Sequence, residues 1–389
     1  MLSVLAVLAD NSITAPKNGG LMTQLLKTAA LTVDFNLERR ALEARGALAL
    51  MVQPILKSIN QRLNEEKPAL IREKDIVATT WLPPIPSGPF KRLLLNEAKM
   101  AMGRPVPQTV SIEVTRSCGC NCDHCLVKKD GEGELSKEEI FRVIDQALEM
   151  GACIITFTEG DPLLRDDVFE LIRHVDPEKA VVNLFTPGLE LTMLKAEQLR
   201  DAGLYNLLIG VYSADSEYHD QLRGLPGAHS KAIEAIEVAL KAGLMVTMTT
   251  HIKSGQVDRI PELYKLATDM GVQELSIWEG LPQSPEEKLT QIEREKILTL
   301  YRKINSTPGG PRIFASTYFE GQMLGCMAGR RWLHVGVDGN VRACPYLRGG
   351  YGSVMESSLG EIWKAVRDSG EFKGFVCSCP AQETLGSPQ

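Results

Sequence analysis

The stretch TRSCGCNCDHC places four of the chain's nine cysteines within eight positions. Three of them, Cys118, Cys122 and Cys125, follow the pattern C-x3-C-x2-C. Three thiolates can bind three irons of a [4Fe–4S] cluster and leave the fourth iron open to another molecule. A structural zinc site takes four protein ligands, and either Cys120 or His124 could supply the fourth. The spacing favours the iron–sulfur cluster over zinc.

A second group of four cysteines lies near the C terminus: Cys326, Cys344, Cys377 and Cys379. The segment that contains them has turn sequences such as VDGN and RGGYG and one short helix, SLGEIWKAV. This pattern predicts a small domain organised by a metal centre. Four thiolates would complete the coordination of one closed cluster or of one structural zinc ion.

The first cysteine group follows a strand in a region where short strands alternate with amphipathic helices. Six segments have the strand pattern, namely TVSIEVT, CIITFT, AVVNLFT, NLLIGVYS, MVTMTTHI and ELSIWEG. Alternation of this kind predicts a parallel sheet with right-handed crossovers. We therefore expect an α/β fold built on a partial (β/α)6 TIM-like barrel. The cysteines would then lie at the C-terminal ends of the strands, where such barrels carry their active sites.

Two further regions flank the barrel, which gives predicted domains at 1–106, 107–309 and 310–389. We predict a helical N-terminal extension because apolar residues recur on one helix face in the first region. That face contains Leu48, Met51, Val52, Ile55, Leu56, Ile59 and Leu63. The proline-rich connector WLPPIPSGPF follows, and it suits neither a regular helix nor a central strand. The third region is the small C-terminal Cys-rich metal-binding domain.

Composition narrows the function classes. The chain has 389 residues, 44% of them hydrophobic, and no run of 18 apolar residues that would span a membrane. The opening MLSVLAVLAD lacks a basic leader and a cleavage site, so we expect a cytoplasmic protein, where clustered cysteines more often bind metal than form disulfides. The net charge of −6 argues against nucleic acid as a partner. Residues 1–100 carry 13 Lys and Arg against 9 Asp and Glu, and the N-terminal helices are a candidate for peripheral membrane contact.

The cysteine motif after the first strand of an alternating β/α chain resembles the radical S-adenosylmethionine (radical SAM) superfamily. The resemblance covers roughly residues 108–300. It implies that the three cysteines of the C-x3-C-x2-C motif ligate a [4Fe–4S] cluster whose open iron chelates S-adenosylmethionine (SAM). Electron transfer from the cluster then yields a 5′-deoxyadenosyl radical. His124 takes the place of the family's aromatic residue beside the adenine.

Two more segments carry the resemblance. The family's Gly-Gly-Glu-Pro motif, which receives the SAM amino group, corresponds to TEGDP, so Gly160 and Asp161 are implied SAM ligands. Glu159 replaces the first glycine of that motif, which puts the details of SAM contact in doubt. The segment GVYSADSEYHDQLRG implies that Ser213 approaches the ribose or carboxylate of SAM and that Arg223 approaches its carboxylate.

The C-terminal segment CMAGRRWLHVGVDGNVRAC resembles the SPASM and twitch extensions of this superfamily, which hold auxiliary [4Fe–4S] clusters. The resemblance implies that Cys326, Cys344, Cys377 and Cys379 hold one auxiliary cluster that serves in electron transfer. Cys120 and Cys153 are left without a metal role. No individual catalytic residue is implied.

The resemblance implies an enzyme that abstracts hydrogen from an unactivated substrate carbon, with flavodoxin or ferredoxin as reducing partner. We favour a small-molecule or lipid-like substrate over a peptide, because residues 1–106 have the pattern of apolar-faced helices and not of a peptide-binding module. A SPASM-type maturase acting on a ribosomal peptide is the alternative. A non-catalytic iron–sulfur or zinc protein is a further alternative, and it would leave the TEGDP and YSAD segments as coincidence.

Overall fold

The computed structural model describes residues 22–122, 125, 133–347, 349–372 and 379. The N-terminal part of this range contains a three-stranded antiparallel sheet, a helix, a two-residue hairpin and a second helix. These elements are β1 (Met22–Lys27), β2 (Thr32–Asn36), β3 (Ala41–Arg45), α1 (Ala49–Glu65), β4 (Leu70–Ile71), β5 (Ile76–Val77) and α2 (Gly88–Ala101). None of the helices in the described part of the chain is long and apolar enough to cross a membrane.

The predicted helical extension is present as α1 and α2 but is incomplete, because residues 22–45 form strands. Leucine and alanine recur in MTQLLK and ALEAR, and both residues favour helix on intrinsic propensity. Tertiary contacts decide otherwise here. Leu25, Val33, Phe35 and Leu42 are buried together in one apolar cluster, and this burial stabilises the strands. The strands are too short to be recognised by alternation alone.

The central sheet has nine strands within the described residues, and eight of them run parallel. Helices cover the outside of the curled sheet. The elements are β6 (Thr109–Glu113), α3 (Lys137–Met150), β7 (Ile154–Thr158), α4 (Val168–His174), β8 (Val181–Thr186), α5 (Met193–Asp201), β9 (Asn206–Gly210), α6 (Ser216–Arg223), α7 (Ala228–Lys241), β10 (Val246–Ile252), α8 (Ile260–Met270), β11 (Glu274–Glu279), α9 (Gln291–Asn305) and β12 (Arg312–Ala315).

The predicted partial barrel is confirmed, and its six predicted strands are β6 to β11. Residues on both faces of these strands are buried, because the helices cover one face and the barrel interior lies on the other. A capping box formed by Ser136 and Glu139 begins α3, and Gly151 ends it in the left-handed conformation. The four-residue strand β12 extends the parallel run beside β11 and was not predicted.

The C-terminal part adds β13 (Trp332–Val335), β14 (Val341–Arg342) and α10 (Leu359–Asp368). Strand β13 pairs in parallel with β6, and β14 pairs antiparallel with β13. The C-terminal part is therefore hydrogen-bonded to the strand that leads into the first cysteine group.

The connector between β5 and α2 closes the lower end of the barrel. The Thr80 hydroxyl donates to Glu274 at 2.5 Å and accepts from Thr247 at 2.8 Å, at the starts of β11 and β10. The next residue, Trp81, donates its indole N–H to Ser276 of β11 at 3.1 Å. The connector thus places an aromatic ring inside the barrel, below the C-terminal ends of the strands.

Candidate functional site

The first cysteine group lies in a loop directly after β6 and lines a cavity of about 180 Å³. All four cysteines of the loop, Cys118, Cys120, Cys122 and Cys125, line this cavity. A hydrogen bond from the Cys120 thiol is the main cause that lowers the pKa of Cys118 to about 7. A thiol with a lowered pKa is more readily present as the thiolate that binds iron. Three thiols around one cavity suit a cluster that keeps an open iron on the cavity side.

The TEGDP turn after β7 packs against the backbone of this cysteine loop. Gly160 has a φ of 63°, and a Cβ there would lie 2.4 Å from the carbonyl oxygen of Thr115. Only glycine allows this close approach. The Asp161 N–H donates to the carbonyl oxygen of Ser117 at 2.7 Å, which fixes the turn to the loop.

Asp161 is fully buried beside this turn. One oxygen of its carboxylate accepts from the Thr186 hydroxyl at 2.8 Å and from the Leu163 N–H at 3.2 Å. The other oxygen is buried without a hydrogen-bond partner within the described residues. Burial raises the pKa of Asp161. Gly160 and Thr186 line the cavity, so Asp161 lies directly behind its wall.

Glu159 lines the cavity itself, and sequence reasoning gave it no role. Its φ is 64°, a left-handed conformation that side chains rarely adopt. Burial, followed by the charge of Glu113, raises the pKa of Glu159 to about 7. The signal that could have found it is the departure from glycine at this position of the motif.

The structure brings Arg223 to the cysteine loop. Its guanidinium lies over the ring of Tyr212, donates to the carbonyl oxygen of Gly210 at 2.6 Å, and has a nitrogen 3.8 Å from the Cys122 sulfur. Ser213 is buried in the turn after β9, where its hydroxyl accepts from the Asp215 N–H at 3.0 Å. Arg223 therefore lines the cavity, whereas Ser213 supports the turn beside it.

Two of the predicted site residues, His124 and Cys377, lie outside the described residues. Of the others, Cys118, Cys122, Cys125, Gly160 and Arg223 line one cavity, and Asp161 and Ser213 are buried next to it.

Aromatic residues form much of the remaining wall, and sequence reasoning missed them. They are Trp81, Phe185, Tyr212, Trp278, Trp332 and Tyr346. Trp81 contacts Trp278 edge to face at 4.9 Å between centroids. The indole N–H groups of Trp81 and Trp278 both donate to Ser276, at 3.1 and 2.9 Å. These rings belong to distant segments, so only the fold shows that they share one site.

A buried hydrogen-bond chain joins this wall to the C-terminal part. The indole of Trp332 donates to Ser111 at 2.8 Å, and Ser111 lies 2.8 Å from Nδ1 of His334. Burial lowers the pKa of His334, and its Nε2 lies 2.8 Å from Glu113 and 2.8 Å from a guanidinium nitrogen of Arg342. Arg342 also pairs with Glu113. Burial alone would raise the pKa of Glu113, but the bond to His334 and the charge of Arg342 prevail and lower it to about 2.

The second cysteine group lies at a separate cavity of about 450 Å³, which Cys326 and Cys379 line. Cys344 is buried nearby, and burial, followed by the charges of Cys379 and Cys326, raises its pKa. Three of the four predicted ligands are thus neighbours, which suits a closed metal centre completed by the fourth cysteine. Trp278, Leu281 and Tyr346 line both cavities and so form the wall between them.

Comparison with known proteins agrees with this geometry. Residues 112–267 match the model of the Radical SAM superfamily. An AdoMet-dependent heme synthase of Oleidesulfovibrio alaskensis is 29% identical over 304 residues, which cover 70% of this chain and 78% of that protein. A PqqA peptide cyclase of Streptomyces rochei is 28% identical over 291 residues, which cover 69% of this chain and 78% of that protein.

Solved structures share the fold at low sequence identity. Streptococcus suis SuiB bound to S-adenosylmethionine has a TM-score of 0.60 and 13% identity, and the match covers 90% of both chains. The enzyme anSMEcpe with bound AdoMet has a TM-score of 0.56 and 16% identity, and the match covers 68% of this chain and 84% of that chain. The matched region carries the cysteine loop at the C-terminal end of the first barrel strand. This chain therefore contains a radical SAM domain at residues 112–267 and is an enzyme that uses a [4Fe–4S] cluster and S-adenosylmethionine.

Proposed function

We propose that this enzyme abstracts hydrogen from an unactivated carbon of a small, mainly apolar, non-peptide substrate held in the aromatic cavity. When bound, the cluster and SAM supply the 5′-deoxyadenosyl radical that does so. Cys118, Cys122 and Cys125 would hold the cluster. Gly160, Asp161, Ser213 and Arg223, together with His124, are the proposed SAM contacts.

The apolar character of the aromatic wall carries the proposal. The indole N–H groups of Trp81, Trp278 and Trp332 all donate to serine hydroxyls inside the protein. Their polar atoms are therefore satisfied, and the rings offer the substrate apolar surface. Such a wall binds hydrocarbon or flat unsaturated groups and excludes water from a reactive carbon radical. A relative named for heme synthesis, which uses a non-peptide substrate by that name, is consistent with this class.

The second cavity supports an accessory role in electron transfer. Cys326, Cys344, Cys377 and Cys379 would hold a closed auxiliary cluster, which has no open iron for substrate. Radical SAM enzymes need a reducing partner, and flavodoxin or ferredoxin in the cytoplasm would fill that role. The wall formed by Trp278, Leu281 and Tyr346 would keep substrate and auxiliary cluster adjacent but apart.

Modification of a ribosomal peptide is the second candidate, and the N-terminal sheet favours it. Strands β1 to β3 give this chain a β-containing module that the sequence pattern did not indicate. A solved structure of SuiB bound to the precursor peptide SuiA matches 92% of this chain, with a TM-score of 0.57. A peptide cyclase is also among the relatives.

Deuterium transfer separates the two candidates. A deletion strain grown in deuterated medium accumulates labelled substrate, and its extract is divided into an organic-soluble fraction and a peptide fraction. The reconstituted enzyme, given SAM and dithionite, should form deuterated 5′-deoxyadenosine with the organic-soluble fraction. Transfer only from the peptide fraction, and its loss after protease treatment, would contradict the non-peptide proposal.

A further inference from the structure

One carboxylate faces the aromatic cavity among the described residues, and it belongs to Glu159. The other charged or titratable side chains on the wall, apart from the thiols and the two tyrosines, are Arg116, Arg223 and His251. None of the described residues donates a hydrogen bond to the Glu159 carboxyl. An acid on a wall that contains six aromatic rings is a polar group that can fix the orientation of an apolar ligand.

The backbone at Glu159 has a conformation that is unfavourable for a residue with a side chain. Glu159 and Arg40 are the two non-glycine residues of the described chain with positive φ, at 64° and 49°. The left-handed conformation is costly for residues with a Cβ, so glycine would fit position 159 at lower cost. Strain of this kind clusters at functional sites, where the side chain has a task.

The surroundings of Glu159 place it on the side of the C-terminal part. The charged groups that act on it are Glu113, Arg342 and Cys118. Glu113 is itself paired with His334 and Arg342. The positive charge of Arg342 is therefore shared between Glu113 and Glu159. The charge of Glu159 also acts on Tyr346, a ring of the aromatic wall that belongs to the C-terminal part. Glu159 therefore lies near the part of the wall where the substrate is proposed to bind.

We propose that Glu159 is a substrate-binding acid that accepts a hydrogen bond from an amine or hydroxyl of the substrate and so orients the carbon to be attacked. This inference rests on the proposed function, since it assumes a substrate in the aromatic cavity. It also narrows the substrate class: a mainly apolar molecule with at least one hydrogen-bond-donating group. The apolar rings contribute affinity but do not fix the orientation of the substrate, and the hydrogen bond to the acid fixes it.

The test compares three variants by the fraction of 5′-deoxyadenosine that carries deuterium from the labelled deletion-strain extract. Glu159→Gly removes the acid and suits the left-handed backbone, so it should melt no lower than wild type and lower the deuterated fraction at least tenfold. Glu159→Gln keeps the size of the side chain and removes its charge. Its deuterated fraction should lie between those of wild type and Glu159→Gly. Arg40→Gly relieves the same backbone conformation far from the cavity, and it should keep the wild-type fraction.

A wild-type deuterated fraction in Glu159→Gly would overturn the inference. So would a variant that loses total 5′-deoxyadenosine while its deuterated fraction stays at the wild-type level, because Glu159 would then act on SAM. The variants are assayed with whichever extract fraction transfers deuterium to wild type. If that fraction is the peptide one, the proposed function fails while the role of Glu159 is still decided.

Discussion

The two cysteine sites differ in the walls that surround them. Around the first group the wall is largely aromatic, with Glu159, Arg116, Arg223 and His251 as its charged or titratable side chains apart from thiols and tyrosines. The second cavity is larger and is lined by charged and polar residues, including Glu279, Lys288, Gln291, Arg294, Thr317 and Glu320. An apolar wall suits a substrate carbon, and a polar wall suits the net charge of a closed cluster. Cysteine ligands of the same kind can therefore serve different tasks, depending on the side chains that line the cavity beside them.

The two sites nevertheless share a wall, so they lie next to each other. Tyr346 follows Cys344 by two residues, faces both cavities, and has its hydroxyl 3.2 Å from Nε2 of His251 on β10. Tyr346 would therefore separate a substrate bound in the first cavity from a cluster held at the second cavity. Variants that remove one site at a time test whether the tasks separate as the walls suggest.

Removing the first cysteine group should have the largest effect. The triple change of Cys118, Cys122 and Cys125 to alanine should abolish 5′-deoxyadenosine formation, because no site remains for the cluster that binds SAM. Iron should fall from about eight to about four atoms per chain, since two four-iron clusters become one. Iron and sulfide analysis with chromatography of the reaction checks this. Retention of eight irons in the variant would show that other residues hold the cluster.

Removing the second cysteine group should stop product formation while SAM cleavage continues. The double change Cys326→Ala and Cys379→Ala removes two ligands of the auxiliary cluster, so deuterium from the labelled extract should still reach 5′-deoxyadenosine without product accumulating. A closed metal site can also organise its domain, so circular dichroism must show that the variant is folded. Normal product from a folded variant would make this cluster structural only.

Breaking the buried hydrogen-bond chain that joins the first cavity to the C-terminal part should lower the free energy of unfolding. Glu113 has its pKa lowered from 4.5 to about 2, so its charged form stabilises the fold above pH 4.5 and this contribution is lost as the pH falls towards 2. The shift corresponds to about 3 kcal/mol. Glu113→Gln should lower the free energy of unfolding by about this amount at pH 7. Urea titrations should show the difference from wild type shrinking below pH 4.5, and a pH-independent difference would contradict the assignment.

The smallest of these effects concerns SAM alone. Asp161 has one buried oxygen without a partner in the described part of the chain, and the proposed ammonium contact would use it. Asp161→Asn keeps the shape and should weaken SAM binding by about 1.5–3 kcal/mol, the value of a hydrogen bond to a charged group. Equilibrium dialysis of the cluster-loaded protein measures the change. Unaltered affinity would move the ammonium contact elsewhere.

The barrel was predictable because its signals are local. Each strand from β6 to β11 is a short apolar run followed by a helix, and the C-x3-C-x2-C spacing lies within eight residues. The N-terminal sheet was not predictable in this way, since its leucines and alanines also favour helix and only burial around Phe35 decides. The aromatic wall and the position of Glu159 depend on segments that are far apart in the chain and meet at one cavity, such as those of Trp81 and Tyr346, and no local pattern records this.

The decisive measurement is the reductive cleavage of SAM by the wild-type protein. Reconstituted anaerobically and given dithionite and SAM, the protein should release 5′-deoxyadenosine and methionine in equal amounts, slowly even without substrate. Cys122→Ala should release neither, because the cluster loses one of three ligands. Intact SAM after incubation with wild-type protein that carries its full iron, or a preparation that holds only zinc, would contradict the account.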